Sequence, residues 1–107
     1  MYATALYVVE KLILSNGTCP FDRWFKELEP EDKYMVETRL HRVRLGSFGE
    51  VRNVGGGVWE LKFRKGKALR LYYAVVERQI VLLLLGGDKS NQKRDIIKAK
   101  MLYSVSK

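Results

Sequence analysis

The sequence predicts a small α+β domain of order β-α-α-β-β-β-α, with a mostly antiparallel four-stranded sheet, two helices after the first strand and one helix at the end. Three observations carry this. Phe21, Trp24, Phe25 and Leu28 recur at i, i+3, i+4 and i+7, the spacing of one apolar helix stripe. Residues 59–64 and 69–72 instead alternate between two faces, the two-residue period of strands. Connections as short as Lys65-Gly66-Lys67-Ala68 and Glu77-Arg78 leave no room for a crossover, so the later strands form an antiparallel meander.

The elements follow in order. Ala5 to Leu14 reads as the first strand, closed by the turn residues Ser15-Asn16-Gly17. Thr18 or Cys19 opens the first helix, with Pro20 tolerated in its first turn. Glu29-Pro30-Glu31-Asp32 restarts the chain as a second helix with acids at its positive end. Val36, Leu40 and Val43 form its apolar face, and Gly46 supplies the C-terminal cap. Arg39, Arg42 and Arg44 read as a solvated face complementing the helix dipole, and His41 among them as exposed. Gly46 to Gly57 holds five glycines and reads as a long connector; Gly55-Gly56-Gly57 has no lysine-serine pair or helix after it, so it is a turn and not a phosphate loop. Strands at Val58–Arg64, Leu69–Val76 and Gln79–Leu85 follow, the last apolar on both parities and hence covered on both sides. Ser90 to about Tyr103 is the final helix, with Asp88 as its cap.

With 107 residues the chain is expected to form one domain over 1–107. The longest apolar run, Ile80 to Leu85, is six residues, against about 20 for a membrane helix. The first residues lack the basic start and apolar stretch of a signal peptide, and a lone Cys19 permits no intrachain disulfide. A reducing, cytoplasmic setting is the expectation. One cysteine and one histidine cannot build a zinc finger or a multi-histidine site, so no metal or other cofactor is expected. Any catalysis must rest on Lys, Arg, Tyr, Asp or Glu.

Charge is unevenly placed. Residues 1–37 carry four basic and seven acidic side chains, whereas residues 38–107 carry sixteen basic and five acidic. A net +8 concentrated in the last two-thirds points to an anionic partner. Strand parity sharpens this. Only an even-sum register keeps Trp59, Leu61 and Phe63 beside Leu69, Leu71 and Tyr73, because a one-residue slip flips a whole strand. Pairing Lys62 with Arg70 sets Glu60 against Tyr72 and Trp59 against Tyr73, and gathers Glu60, Lys62, Arg64, Arg70 and Tyr72 on one face. Two facing cations repel, so the arrangement suggests an anion between them. Gly86-Gly87 reads as a tight turn beside this face, and Lys89, Lys93 and Arg94 add charge at the last helix's start.

The segments Gly46-Ser-Phe-Gly-Glu-Val-Arg, Gly55-Gly-Gly-Val-Trp-Glu-Leu-Lys-Phe, Leu69-Arg-Leu-Tyr-Tyr and Leu82-Leu-Leu-Leu-Gly-Gly-Asp-Lys-Ser-Asn-Gln resemble the HigB-like branch, or addiction module killer proteins, of the RelE/ParE toxin superfamily. The likeness spans residues 20–103, and Gly-Gly-Asp-Lys-Ser-x-Gln is its most specific part. One departure is the turn Gly66-Lys67-Ala68-Leu69, usually Gly-Pro-Gly-Tyr in that family. The resemblance implies a RelE-like fold and the toxin of a type II toxin–antitoxin pair, a ribosome-dependent endoribonuclease that cuts mRNA, held in check by a small helix-turn-helix antitoxin. It implies phosphate-binding catalytic roles for Lys62, Arg64 and Arg70, and the need to activate the 2′-hydroxyl leaves Lys62 or Glu60 as the catalytic base. RNA contacts are expected from Lys65, Lys67, Tyr72, Lys89, Lys93 and Arg94. The alternative is a ParE-like toxin that inhibits DNA gyrase by binding.

Overall fold

A computed structural model describes residues 6–107. One five-stranded mixed sheet, in order β1-β5-β4-β3-β2, lies between two helices on one face and one on the other. β1 (Val8–Lys11) is shorter than the expected strand, whose start at Ala5 lies outside the described residues. It runs parallel to β5 (Ile80–Gly87), with Val8 opposite Ile80 and Lys11 opposite Leu83, so the sheet is mixed.

α1 (Pro20–Lys26) starts from an extended Cys19 with Pro20 at its first position, where a missing N–H costs nothing. Its Phe21 stacks on Phe25 and meets Trp24 edge-on. α2 (Pro30–Arg44) buries Val36, Leu40 and Val43, and Gly46 at φ +88° closes its end. Leu61 and Phe63 join Leu69, Leu71 and Tyr73, together with Val81 and Leu83, against these helices.

β2 (Val51–Gly55) corrects the sequence reading: part of the glycine-rich connector is the fifth strand, antiparallel to β3 (Val58–Lys62), with Arg52 opposite Glu60. Its short, irregular pattern hides it, and the ladder is broken by a bulge between Asn53 and Gly55. Gly55-Gly56-Gly57 forms the turn into β3. β3 and β4 (Arg70–Val76) pair in the even-sum register, with Lys62 opposite Arg70, Glu60 opposite Tyr72 and Trp59 opposite Tyr73.

β5 is covered on both sides, as its sequence demands. Gly86 and Gly87 belong to this strand and are not a turn. A Cβ on Gly86 would lie 2.1 Å from the Trp24 ring, and one on Gly87 would collide with the Asp95 carboxylate. They are small because side chains press on the sheet from both faces. After a 3-10 turn at Lys89–Asn91, α3 (Gln92–Ser106) packs over Val58, Tyr72, Ala74 and Leu84. Among the described residues no helix is long and apolar enough to cross a membrane.

Candidate functional site

The polar strand face predicted from parity exists, but α3 covers half of it. Glu60 is 1% exposed, Arg70 4% and Tyr72 0%. The far end of the face opens into a cleft of about 500 Å³ between β2, β3, the β3–β4 loop and the start of α3. Arg52, Lys62, Arg64, Arg70 and Lys89 line it against two carboxylates, Glu50 and Glu60, for a net charge of +3.

Glu60 organises the floor. Its Oε2 accepts hydrogen bonds from Gln92 Nε2 at 2.9 Å and the Tyr72 hydroxyl at 3.1 Å, while its Oε1 lies 3.3 Å from Arg52 Nε. Arg70 Nε sits 3.8 Å from Oε2, too far for a hydrogen bond, and is buried with no hydrogen-bond partner among the described residues. The Arg70 guanidinium is fixed at its other end by Nη1, which donates to the Ala68 carbonyl at 2.6 Å.

Glu50 organises the rim. It accepts from Arg64 Nε at 2.6 Å and lies 3.8 Å from Lys62 Nζ. The facing cations therefore each have an internal carboxylate, Glu50 for Lys62 and Glu60 for Arg70, which corrects the expectation that their juxtaposition alone calls for an external anion. Arg39 holds this corner together. Far from lying on a solvated face, it is half-buried, donates to the carbonyls of Phe48, Glu50 and Lys62, and stacks over Phe63 at 5.0 Å. His41, Arg42 and Arg44 are exposed as expected.

Of the residues expected to act, Lys62, Arg64, Arg70, Glu60 and Lys89 converge on the cleft. The others do not line it. Tyr72 offers no surface for a base: it is sealed beneath α3, and burial together with the neighbouring Glu60 charge raises its pKa well above the usual tyrosine value. Lys65 faces the opposite side of the loop, toward α2, and Lys67, Lys93 and Arg94 are exposed outside the cleft. Lys67 lies close enough to Asp88 to favour its carboxylate form, which is held below the usual range chiefly by the hydrogen bond from the Ser90 hydroxyl. Asp88 caps the 3-10 turn by accepting from Ser90 N at 2.9 Å.

Sequence reasoning missed Glu50, Arg52 and Gln92. Arg52 and Glu50 were invisible because the strand at and beside them was. Gln92 ends the distinctive Gly-Gly-Asp-Lys-Ser-Asn-Gln segment, so a signal for it was present. Among the described residues no three His, Cys, Asp or Glu side chains converge to hold a metal ion.

The fold and cleft define a small, basic, single-sheet α+β protein. Residues 23–104 match the family described as Phage derived protein Gp49-like (DUF891), and the chain belongs to that family. It is also 37% identical over 86 residues to an uncharacterized protein of Haemophilus influenzae (strain ATCC 51907 / DSM 11121 / KW20 / Rd), covering 79% of this chain and 87% of that one. No solved structure matches it. The family match corrects the resemblance to the HigB-like branch of the RelE/ParE toxins, because Gp49-like proteins form a distinct family. Roles carried over from those toxins lose their family support, and the cleft residues stand on geometry alone.

Proposed function

We propose that this protein is the toxin of a toxin–antitoxin pair and that its cleft binds and cuts RNA, arresting translation. The Gp49-like family is a toxin-like family of toxin–antitoxin systems. The observation that carries the RNA reading is the cleft itself: five cations surround two carboxylates, and a buried guanidinium N–H points at no partner. Arg70, buried and held by the Ala68 carbonyl, is a desolvated, fixed cation of the kind that stabilises charge growing on a phosphate during reaction, and the more exposed Arg52, Lys62 and Arg64 add positive charge around it.

Cleavage without a metal has the RNA 2′-oxygen attack the adjacent phosphorus while the bond to the 5′-oxygen breaks, leaving a 2′,3′-cyclic phosphate and a 5′-hydroxyl. Arg52, Arg70 and Lys89 offset the extra phosphorane charge. Glu50 takes the proton from the 2′-hydroxyl, and Lys62, 3.8 Å from that carboxylate, returns one to the departing oxygen. Glu60 is unsuited to be the base, since both its oxygens are already engaged by donors. Few acid–base groups in the cleft fit an enzyme whose geometry is completed by the ribosome on translated mRNA, and a small helix-turn-helix antitoxin is the proposed inhibitor.

The test is to induce the protein alone and map 5′ ends on a translated and an untranslated copy of one transcript. New 5′-hydroxyl ends confined to the translated copy are the expected result. Cuts on both copies remove the ribosome requirement. Intact RNA overturns the nuclease reading, and double-strand DNA breaks beside intact RNA replace it with action on a DNA enzyme.

A further inference from the structure

Two guanidiniums enter the cleft from the strands that flank β3, Arg52 from β2 and Arg70 from β4, and the same carboxylate on β3 lies between them. β3 is the middle strand of the three, and the register sets Glu60 opposite Arg52 on one side. On its other side Arg70 stands two places along from Tyr72, which faces Glu60. A buried carboxylate in that place could serve only to neutralise the arginines. The two other donors argue against this. Tyr72 and Gln92 are uncharged, come from β4 and α3, and both donate to Oε2. Such clamping leaves the carboxylate one orientation.

The consequence lies with the arginines. Arg52 meets Oε1 through its Nε and reaches Oε2 with Nη2 at 3.5 Å, so its guanidinium plane is set by Glu60 while its side chain remains 58% exposed. Arg70 is held by the Ala68 carbonyl at one end and the Glu60 charge at the other, with its Nε left unbonded. Orphaned buried donors are costly, and a guanidinium presents its donors as a planar fork suited to phosphate oxygens.

We infer that Glu60 is the positioning residue of a phosphodiester seat, aiming the Arg52 and Arg70 guanidiniums at one phosphate group, with Tyr72 acting on that seat through Glu60. The inference rests on the RNA-binding reading of the cleft. It opposes the base role that the sequence suggested for Glu60.

The sign of one substitution separates positioning from simple electrostatics. Glu60→Gln removes a negative charge from an anion-binding cleft, so electrostatics alone makes RNA bind tighter. Positioning makes it bind about ten-fold weaker, the scale of one charge-assisted hydrogen bond. The measurement is affinity of the full chain for a short single-stranded RNA lacking a scissile 2′-hydroxyl, across a salt series. The slope of log affinity against log salt falls by about 0.7 for each phosphate the protein ceases to neutralise. Tyr72→Phe is the companion, because Tyr72 is sealed from solvent and can influence RNA only through Glu60; it is expected to weaken binding about two- to five-fold, the scale of one neutral hydrogen bond. Arginine Nε–H signals in nitrogen-edited NMR report the guanidiniums without RNA, and both variants are expected to shift those of Arg52 and Arg70.

Equal or tighter binding by Glu60→Gln with an unchanged salt slope overturns the inference. If that variant does not fold, wild-type affinity in Tyr72→Phe overturns it instead. If the wild type binds no RNA, the functional reading falls, and unshifted arginine signals in Tyr72→Phe then overturn the positioning role separately.

Discussion

Arg70→Ala tests the difference between the polar face expected from strand parity and the one observed. On a solvated face the substitution removes little packing and relieves repulsion with Lys62, raising stability by a few tenths of a kcal/mol, roughly. The structure reverses that sign. Arg70 is 4% exposed, so its alkyl stem is packed, and truncation removes both that packing and the Nη1 bond to Ala68. It also leaves Glu60 with less positive charge nearby. Removing one partner of a buried pair commonly costs ~3–5 kcal/mol. Here Glu60 keeps Arg52, Tyr72 and Gln92, which limits the loss to about 2 kcal/mol, the scale of one charge-assisted hydrogen bond. For a domain of this size that lowers the thermal midpoint by about 8–16 °C. Arg70→Met keeps most of the stem and isolates the charge, and it is expected to recover part of the loss. The assay is reversible thermal unfolding followed by circular dichroism at low protein concentration. A midpoint at or above wild type for Arg70→Ala refutes the buried-pair reasoning.

Two further perturbations test the packing and the tyrosines. Gly86→Ala places a methyl 2.1 Å from the Trp24 ring and is expected to cost about 2–3 kcal/mol by overpacking, whereas Gly17→Ala meets no atom within 4 Å and costs only its backbone strain, about 1 kcal/mol. Chemical denaturation of the two variants side by side checks the ranking. Burial raises the pKa of Tyr72 and pushes that of Tyr73 up to about 12, both above the unfolded value of 10.0. Their stabilisation is therefore complete below pH 10; that of Tyr73 is lost as pH climbs through the 10–12 window, and that of Tyr72 at higher pH still. Absorbance titration in the near ultraviolet is expected to show these two rings ionising later than exposed ones, with unfolding free energy falling over the same range; early ionisation of all the rings contradicts the burial.

The local elements were legible because their causes are local. Aromatic spacing at Phe21, Trp24 and Phe25 defines α1, although the helix ends at Lys26 and Leu28, the fourth residue of the stripe, packs on the core from beyond it. Pro30 and Gly46 bracket α2, and alternation fixes both the faces and the register of β3 and β4. That register alone is enough to place Glu60, Lys62 and Arg70 near one another. Parity says which side of a sheet a residue occupies, and it says nothing about what covers that side. Only the docking of α3 decided that Glu60 and Tyr72 are sealed while Lys62 opens to the cleft. Likewise β1 joins β5 from the far end of the chain, Val8 against Ile80, by hydrogen bonds between backbones, which leave no periodic mark on side chains. β2 exists because β3 offered it an edge, and with it came Arg52 and, just before the strand, Glu50, both charged groups of the cleft. Sequence determined which residues carry charge and which face they share. Tertiary structure decided which carboxylate each cation meets, because that depends on contacts between elements distant along the chain.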